Sequence, residues 1–355
     1  MTLPINKSES INQKRWKKFK SIKRGYYSFI LIIGLYILSF LLPIFINSKA
    51  LIVQYDDQYY FPAFKDVIPG INAYYDGTMF DQDTPGEANF RQLQQIWSGS
   101  DNWLIMPIYP FNPFEDITNN ENKMYESPSM THWFGTDNTG RDVFARMCYA
   151  FNISLSFAFI LTVLNYILGI SVGGAMGYYG GKFDLFFQRL IEIWSSLPLL
   201  FVVIIMSSIL TPSFLILIFI YTLVNWIALT YFMRAEFYRE KSKDYVSAAI
   251  SMGQSNKRII FRHILPNSLV PVITYFPFSV VGGIAVLVSL DFLGFGLPPP
   301  TPSWGQILYV GLNNISKWWM VFAPIIAQFF TLLCIVFIGE AVREAFDPKI
   351  YSRLR

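Results

Sequence analysis

Five long stretches of this chain carry no charge at all: residues 26–46, 147–181, 193–233, 264–290 and 318–339. A helix needs about 20 apolar residues to cross a hydrocarbon core of about 30 Å, and each stretch is long enough. The third is long enough to cross twice, and Leu210-Thr211-Pro212-Ser213 interrupts it where a turn between two antiparallel spans is needed. Only 15% of the residues are charged, against about 25% in an ordinary soluble protein. The pattern predicts an all-α integral membrane protein with six spans, near 26–46, 151–178, 191–210, 214–233, 268–291 and 319–340. Ser48-x-Ala50 is a weak cleavage-site pattern, but the apolar run before it is too long for a signal core, so the first span is read as uncleaved. Pro198 is expected to kink span three. Pro271, Pro277, Gly282 and Gly283 interrupt span five, Pro324 interrupts span six, and Trp318 and Trp319 are placed in an interfacial belt.

Lysine and arginine placement orients the spans. Residues 1–25 hold Lys7, Lys14, Arg15, Lys17, Lys18, Lys20, Lys23 and Arg24. The segment 234–262 holds seven more basic residues, and the tail adds Arg343, Lys349, Arg353 and Arg355. With six spans all three segments share one side, so both termini are expected in the cytoplasm. Residues 47–146 fall on the other side, with fourteen acidic against six basic residues. A positive-inside anchor accounts for the basic N-terminus, and nucleic acid is not expected as a partner. The aromatic content of 47–146 points to a folded extracytoplasmic domain, either a docking platform or lid, or a solvated insertion.

Covalent chemistry finds little support. Cys148 and Cys334 are the only cysteines and lie far apart, whereas a zinc site or disulfide framework needs more ligands at closer spacing, and His132 and His263 fall on opposite sides of the membrane by this topology. There is no H-E-x-x-H and no phosphate loop, so no cofactor, metal or ATP site is expected on this chain. Glu192, Asp291 and Glu340 lie at span ends, where a carboxylate can be expected to reach water.

Two patterns stand out from that background. Gly169, Gly173, Gly177 and Gly181 recur every four residues, a stripe that lets another helix pack closely. The second is the segment between spans four and five. It runs Asp244-Tyr245-Val246-Ser247-Ala248-Ala249-Ile250-Ser251-Met252-Gly253 and closes at His263-Ile264-Leu265-Pro266. Small residues at 247–249, a glycine break and a closing proline suit a short helix–turn–helix that enters a partner's groove. Gly253 supplies the turn, and Pro266 is expected to separate the loop from span five.

Three ordered blocks resemble the oligopeptide/dipeptide/nickel branch of ATP-binding cassette (ABC) importer permeases. They are His132-Trp133-Phe134-Gly135-Thr136-Asp137-Asn138-Thr139-Gly140-Arg141-Asp142-Val143, the loop ending at Pro266, and Leu290-Asp291-Phe292-Leu293-Gly294-Phe295-Gly296 with Pro300-Thr301-Pro302-Ser303-Trp304-Gly305. The basic lead, Tyr60-Phe61-Pro62 and the ending Ile338 to Pro348 are similar to the Yej-type permeases of microcin C and peptide importers. The resemblance implies the type I importer permease fold in a bacterial inner membrane. The core is then 147–342 including a coupling loop at 234–266, with the insertion 47–146 between spans one and two and a cytoplasmic tail at 343–355. It also implies a homologous second permease, an ATP-binding cassette ATPase, an extracytoplasmic solute-binding protein and a peptide substrate. Asp244, Tyr245, Ser247, Ala248, Ala249, Gly253, His263, Leu265 and Pro266 become the ATPase-coupling residues. The family places a glutamate where this chain has Ser247, which removes one charged contact. Two other readings remain: a membrane-embedded enzyme with an essential acid, base or metal ligand in 47–146, where no spacing singles out a pair, and a self-contained carrier, which predicts an internal repeat that the sequence does not display.

Overall fold

A computed structural model describes residues 10–66, 75–82, 86–98, 101–115 and 124–347. Lys7, Pro348, Lys349, Arg353 and Arg355 lie outside the described residues. In chain order the helices are α1 (Ile11–Ser21), α2 (Lys23–Ser39), α3 (Leu42–Phe45), α4 (Phe90–Ile96), α5 (Val143–Tyr179), α6 (Gly181–Ser195), α7 (Leu199–Ile209), α8 (Phe214–Lys241), α9 (Asp244–Ser251), α10 (Asn256–Arg258), α11 (Leu265–Leu293), α12 (Trp304–Leu312) and α13 (Trp318–Phe346). Strands β1 (Ile52–Tyr55), β2 (Gln58–Tyr60) and β3 (Trp103–Ile105) form one small antiparallel sheet in the order β2-β1-β3.

Four helical paths are long and apolar enough to cross a membrane: Val143–Tyr179, Phe214–Lys241, Asn256–Leu293 and Trp318–Phe346. Two bent pairs make six if each counts as one span: α1 with α2, at 92°, and α6 with α7, at 72°. The first expected span is therefore shifted. Its helix begins at Lys23 and ends at Ser39, short of Ile46, and the basic lead is itself a helix. That lead starts with a capping box, in which Gln13 N donates to Ser10 Oγ at 3.3 Å and Ser10 N donates to Gln13 Oε1 at 3.0 Å. Span three departs further. Pro198 does not kink a continuous helix; it precedes α7 as an extended residue after a full break. The clash of the proline ring with the preceding turn explains the break. At 1.5 Å per residue α7 is about 16 Å long, roughly half a hydrocarbon core.

The described residues group into two compact units. One takes its residues from 1–32, 156–287 and 330–355. In it Phe19 packs on Ala341 and Ala345, while Lys18 pairs with Glu344 at 2.8 Å and Arg24 with Glu340 at 3.0 Å. The glycine stripe of α5 faces α8. A methyl group on Gly169 would lie 2.8 Å from Leu229 Cβ, and one on Gly177 would lie 2.6 Å from Arg234 O; one on Gly173 would collide with Thr230 O. Gly181 is not part of this packing. It opens α6 after Gly180, with φ of 53° and nothing beside its missing side chain. The repeat of four carries past the helix end, where the residue serves the turn.

The other unit takes its residues from 33–155 and 288–329. The described residues of 47–146 thus fall in one unit with 288–329. Its sheet buries Val53, paired with Tyr60 and Leu104, over a core of Ala50, Phe80, Ala88, Phe90 and Leu93. Trp319 is buried, with Nε1 aimed at Thr136 O, so only Trp318 is exposed as a belt residue would be.

Replacing Gly173 by Val should destabilise the α5–α8 packing by about 1–3 kcal/mol through overpacking. Gly34 lies within α2 with open space around it, so Gly34→Ala should not destabilise and should gain up to about 1 kcal/mol of helix propensity. Thermal unfolding of the detergent-solubilised protein compares the two.

Candidate functional site

The segment between α8 and α11 is built as a stiff element. Val246 and Ala249 lie on one face of α9 and bury against Tyr178, Met233, Phe237, Ile259, Ile264 and Val272. Each large apolar side chain in such a cluster contributes about 1.5–3 kcal/mol. Gly253 ends the short helix with φ of 74°, a conformation that L side chains rarely adopt. The chain then returns through α10 and a single wide turn, Ile259–Ile264, in which Leu265 N donates to Ile260 O.

Hydrogen bonds tie both ends of this element. The Tyr245 hydroxyl donates to Glu240 Oε2 at 2.7 Å and accepts from Asn267 Nδ2 at 3.2 Å. Asn267 Nδ2 also donates to His263 O at 2.9 Å, so one tyrosine and one asparagine join the start of the loop to its end. His263 Nε2 lies 2.8 Å from Gln254 Oε1. Tyr178 OH donates to Asn256 Oδ1 at 2.8 Å, fixing the turn against the end of α5. Burial, and then the Glu240 carboxylate, hold the Tyr245 hydroxyl above the usual phenol range.

The outer face of α9 is uncovered. Asp244, Ser247, Ala248 and Ile250 are exposed, with Met252 beyond them and Phe261 on the returning turn. Ile250, Met252 and Phe261 are 52%, 71% and 66% exposed.

Residues 166–351 match the family of binding-protein-dependent transport system inner membrane components. The chain belongs to that family. It is 38% identical to an inner membrane ABC transporter permease protein, YejE, of Escherichia coli, over 97% of this chain and 99% of that one. It is 36% identical to a peptidoglycan transport system permease protein YejE of Agrobacterium fabrum, over 95% and 93%. A dipeptide transport system permease protein, DppC of Bacillus subtilis, is 32% identical over 70% of this chain and 78% of its own length. The chain is therefore a multi-pass membrane permease subunit of the ABC-importer type, a transport component and not an enzyme.

Seen in the permease, the expected loop residues divide. Asp244, Tyr245, Ser247, Ala248, Gly253 and His263 lie on or near the open face or in the turn. Ala249 points inward at 1% exposure, so it supports the helix and is not part of an outward small-residue patch. Pro266 does not separate the loop from span five. It is the second residue of α11, within one helical path from Asn256 to Leu293. The wide turn just before it changes the hydrogen-bond register, which lets a residue without an N–H enter the path.

Sequence reasoning missed the groups that hold the loop. Glu240 is buried and bonded to Lys243 and Tyr245. Asp184 is buried and receives Arg234 Nε at 2.5 Å, Nη2 at 2.6 Å and Tyr238 OH at 2.9 Å, tying α6 to α8. Asp184 and Arg234 are fifty residues apart, so no spacing rule joins them.

The other two recognised blocks of the permease are structural knots. Tyr109 OH donates to Asp142 Oδ2 at 2.6 Å, His132 Nδ1 lies 2.8 Å from the same oxygen, and Ala145 N donates to Asp142 Oδ1 at the start of α5. Burial, then the Asp142 charge, push the Tyr109 hydroxyl far up. Asp291 is 4% exposed and does not reach water as expected. Its Oδ1 accepts from Leu297 N and its Oδ2 from Ser303 OH, and Ser303 caps α12. Glu192 and Glu340 are exposed and paired with Arg189 and Arg24.

Tyr245→Phe removes the hydroxyl that joins Glu240 to Asn267. It should lower stability by about 1–2 kcal/mol and speed protease nicking in the loop, read by thermal unfolding and limited proteolysis.

Proposed function

We propose that this permease imports peptides or peptide-like compounds, compounds of the microcin C type included. ATP binding and hydrolysis on a partner ATPase drive alternating access, and α9 with its turn is the coupling element. Under this reading a homologous second permease and an extracytoplasmic solute-binding protein complete the complex. The basic segments lie on the cytoplasmic side with both termini, and 47–146 belongs to an extracytoplasmic domain. The names of the relatives supply the substrate class. The lysine and arginine distribution supplies the orientation.

The observation that carries the coupling role is the division of α9 into two faces. Its inner face is packed and hydrogen-bonded to the ends of α5, α8 and α11, and its outer face is uncovered. Switching a two-state transporter from 1:99 to 99:1 requires about 5.5 kcal/mol of differential binding. An exposed ion pair of about 0–1 kcal/mol could not deliver that. An apolar face entering a groove can, provided the element behind it does not yield. The serine at 247 in place of the family glutamate fits this account, because the apolar neighbours and not a carboxylate carry the contact.

Ala248→Asp should cut uptake at least about ten-fold while leaving folding intact, since one buried unpaired charge at a docked face costs more than 1.4 kcal/mol. Ala249→Asp should instead prevent the loop from folding. Uptake by membrane vesicles, with thermal unfolding of each variant, separates the two. Affinity purification of the tagged chain from solubilised membranes tests the assembly. A second permease and a P-loop ATPase should copurify in near-equal amounts, and recovery of this chain alone would defeat the reading.

A further inference from the structure

We infer that a cleft at mid-length of α5, α8 and α11, mostly apolar but carrying two carboxamides, is where this permease contacts the main chain of its solute. The inference rests on the peptide-import reading above and adds the residues that would meet the peptide.

The cleft measures about 400 Å³, within the range of small-molecule sites, and is lined by Asn165 and Tyr166 of α5, Asn225 of α8, and Tyr275, Ser279 and Gly282 of α11. All six lie near the middle of helices long enough to cross a membrane. Hydrogen-bonding groups at that depth are costly against hydrocarbon, because nothing there can satisfy them. The lining has no Asp, Glu, Lys, Arg or His. A site without charge does not select for charged side chains, yet it carries two carboxamides, each with donors and an acceptor as in a peptide bond.

Two further observations point to a ligand. The Asn165 side-chain oxygen is shielded from solvent and accepts no hydrogen bond. An acceptor in that state matches a backbone N–H. The second is the pair Gly282-Gly283. A methyl group on Gly283 would lie 2.9 Å from Ala158 Cα, so Gly283 serves helix packing. One on Gly282 would meet nothing within 4 Å. Gly282 therefore faces the cleft, and its lack of a side chain keeps the cleft wide. Tyr166 OH lies 3.0 Å from Ser279 Oγ, which holds the α5 and α11 walls in register.

The test uses the complete complex in proteoliposomes with its binding protein. Transport of a short peptide and of its backbone N-methylated analogue is measured beside ATP turnover. Gly282→Leu should lower peptide uptake about ten-fold or more by filling the cleft, with subunit copurification and ATP turnover within two-fold of wild type. Asn165→Leu should reduce the preference for the unmethylated peptide by about three- to ten-fold, the worth of one hydrogen bond. Wild-type uptake by Gly282→Leu, an unchanged methylation preference in Asn165→Leu, or loss of the second permease from the Gly282→Leu complex would overturn the inference. The last outcome would make the cleft a subunit contact. A wild-type complex that transports no peptide would instead defeat the peptide reading. Maleimide labelling of Gly282→Cys, protected or not by whatever solute the binding protein carries, then decides the cleft separately.

Discussion

Hydrocarbon offers no partner to a backbone N–H or C=O, and the rest of this structure follows from that constraint. It forces the apolar stretches into helices and confines every break to places where freed groups find partners. Gly180 and Gly181 turn the chain before α6, Pro198 follows a complete break, and the wide turn at Ile259–Ile264 keeps the path into α11 helical. The same constraint governs the buried carboxylates. Asp184 is met by Arg234 and Tyr238, Glu240 by Lys243 and Tyr245, Asp142 by Tyr109 and His132, and Asp291 by Ser303 and Leu297 N. None of these groups is placed for chemistry. Each ties a helix end to its neighbours.

The proposed coupling element is the place where the tying stops on one side. The inner face of α9 continues the packing of the spans, and its outer face does not. A loop held only by its two ends would absorb a partner's motion. This one is bonded across its base by Tyr245 and Asn267 and runs into α11 through a helical turn. A push on α9 is therefore a push on a helix that also lines the mid-helix cleft. On the proposed reading the mechanical input and the solute contact share one element, which would be a sufficient physical basis for coupling.

Much of this was legible in the sequence, because charge depletion and helical spans are local properties. Gly169, Gly173 and Gly177 also announced their packing by spacing alone. What escaped was set by distant partners or by orientation. The spacing that named Gly181 ran past a helix end that only the turn geometry reveals. Ala248 and Ala249 are adjacent and chemically alike, and only the fold sends one outward and the other inward. Asp291 looked like a carboxylate at the water boundary because its acceptor role depends on a serine twelve residues on. Pro266 looked like a stop because a one-residue change in hydrogen-bond register is invisible in composition. The cleft residues are ordinary asparagines and tyrosines scattered over three helices, and nothing local distinguishes them.

The account stands on the rigidity of the link between α9 and α11. The direct measurement is the distance between spin labels at Ser247 and Ile273, both exposed, in the assembled complex with and without bound nucleotide. A single narrow distribution that nucleotide does not move is the predicted result, while the solute pathway opens and closes. A shift approaching one helical turn, about 5.4 Å, or a broad distribution in either state, would show that the loop yields under load and would contradict the account.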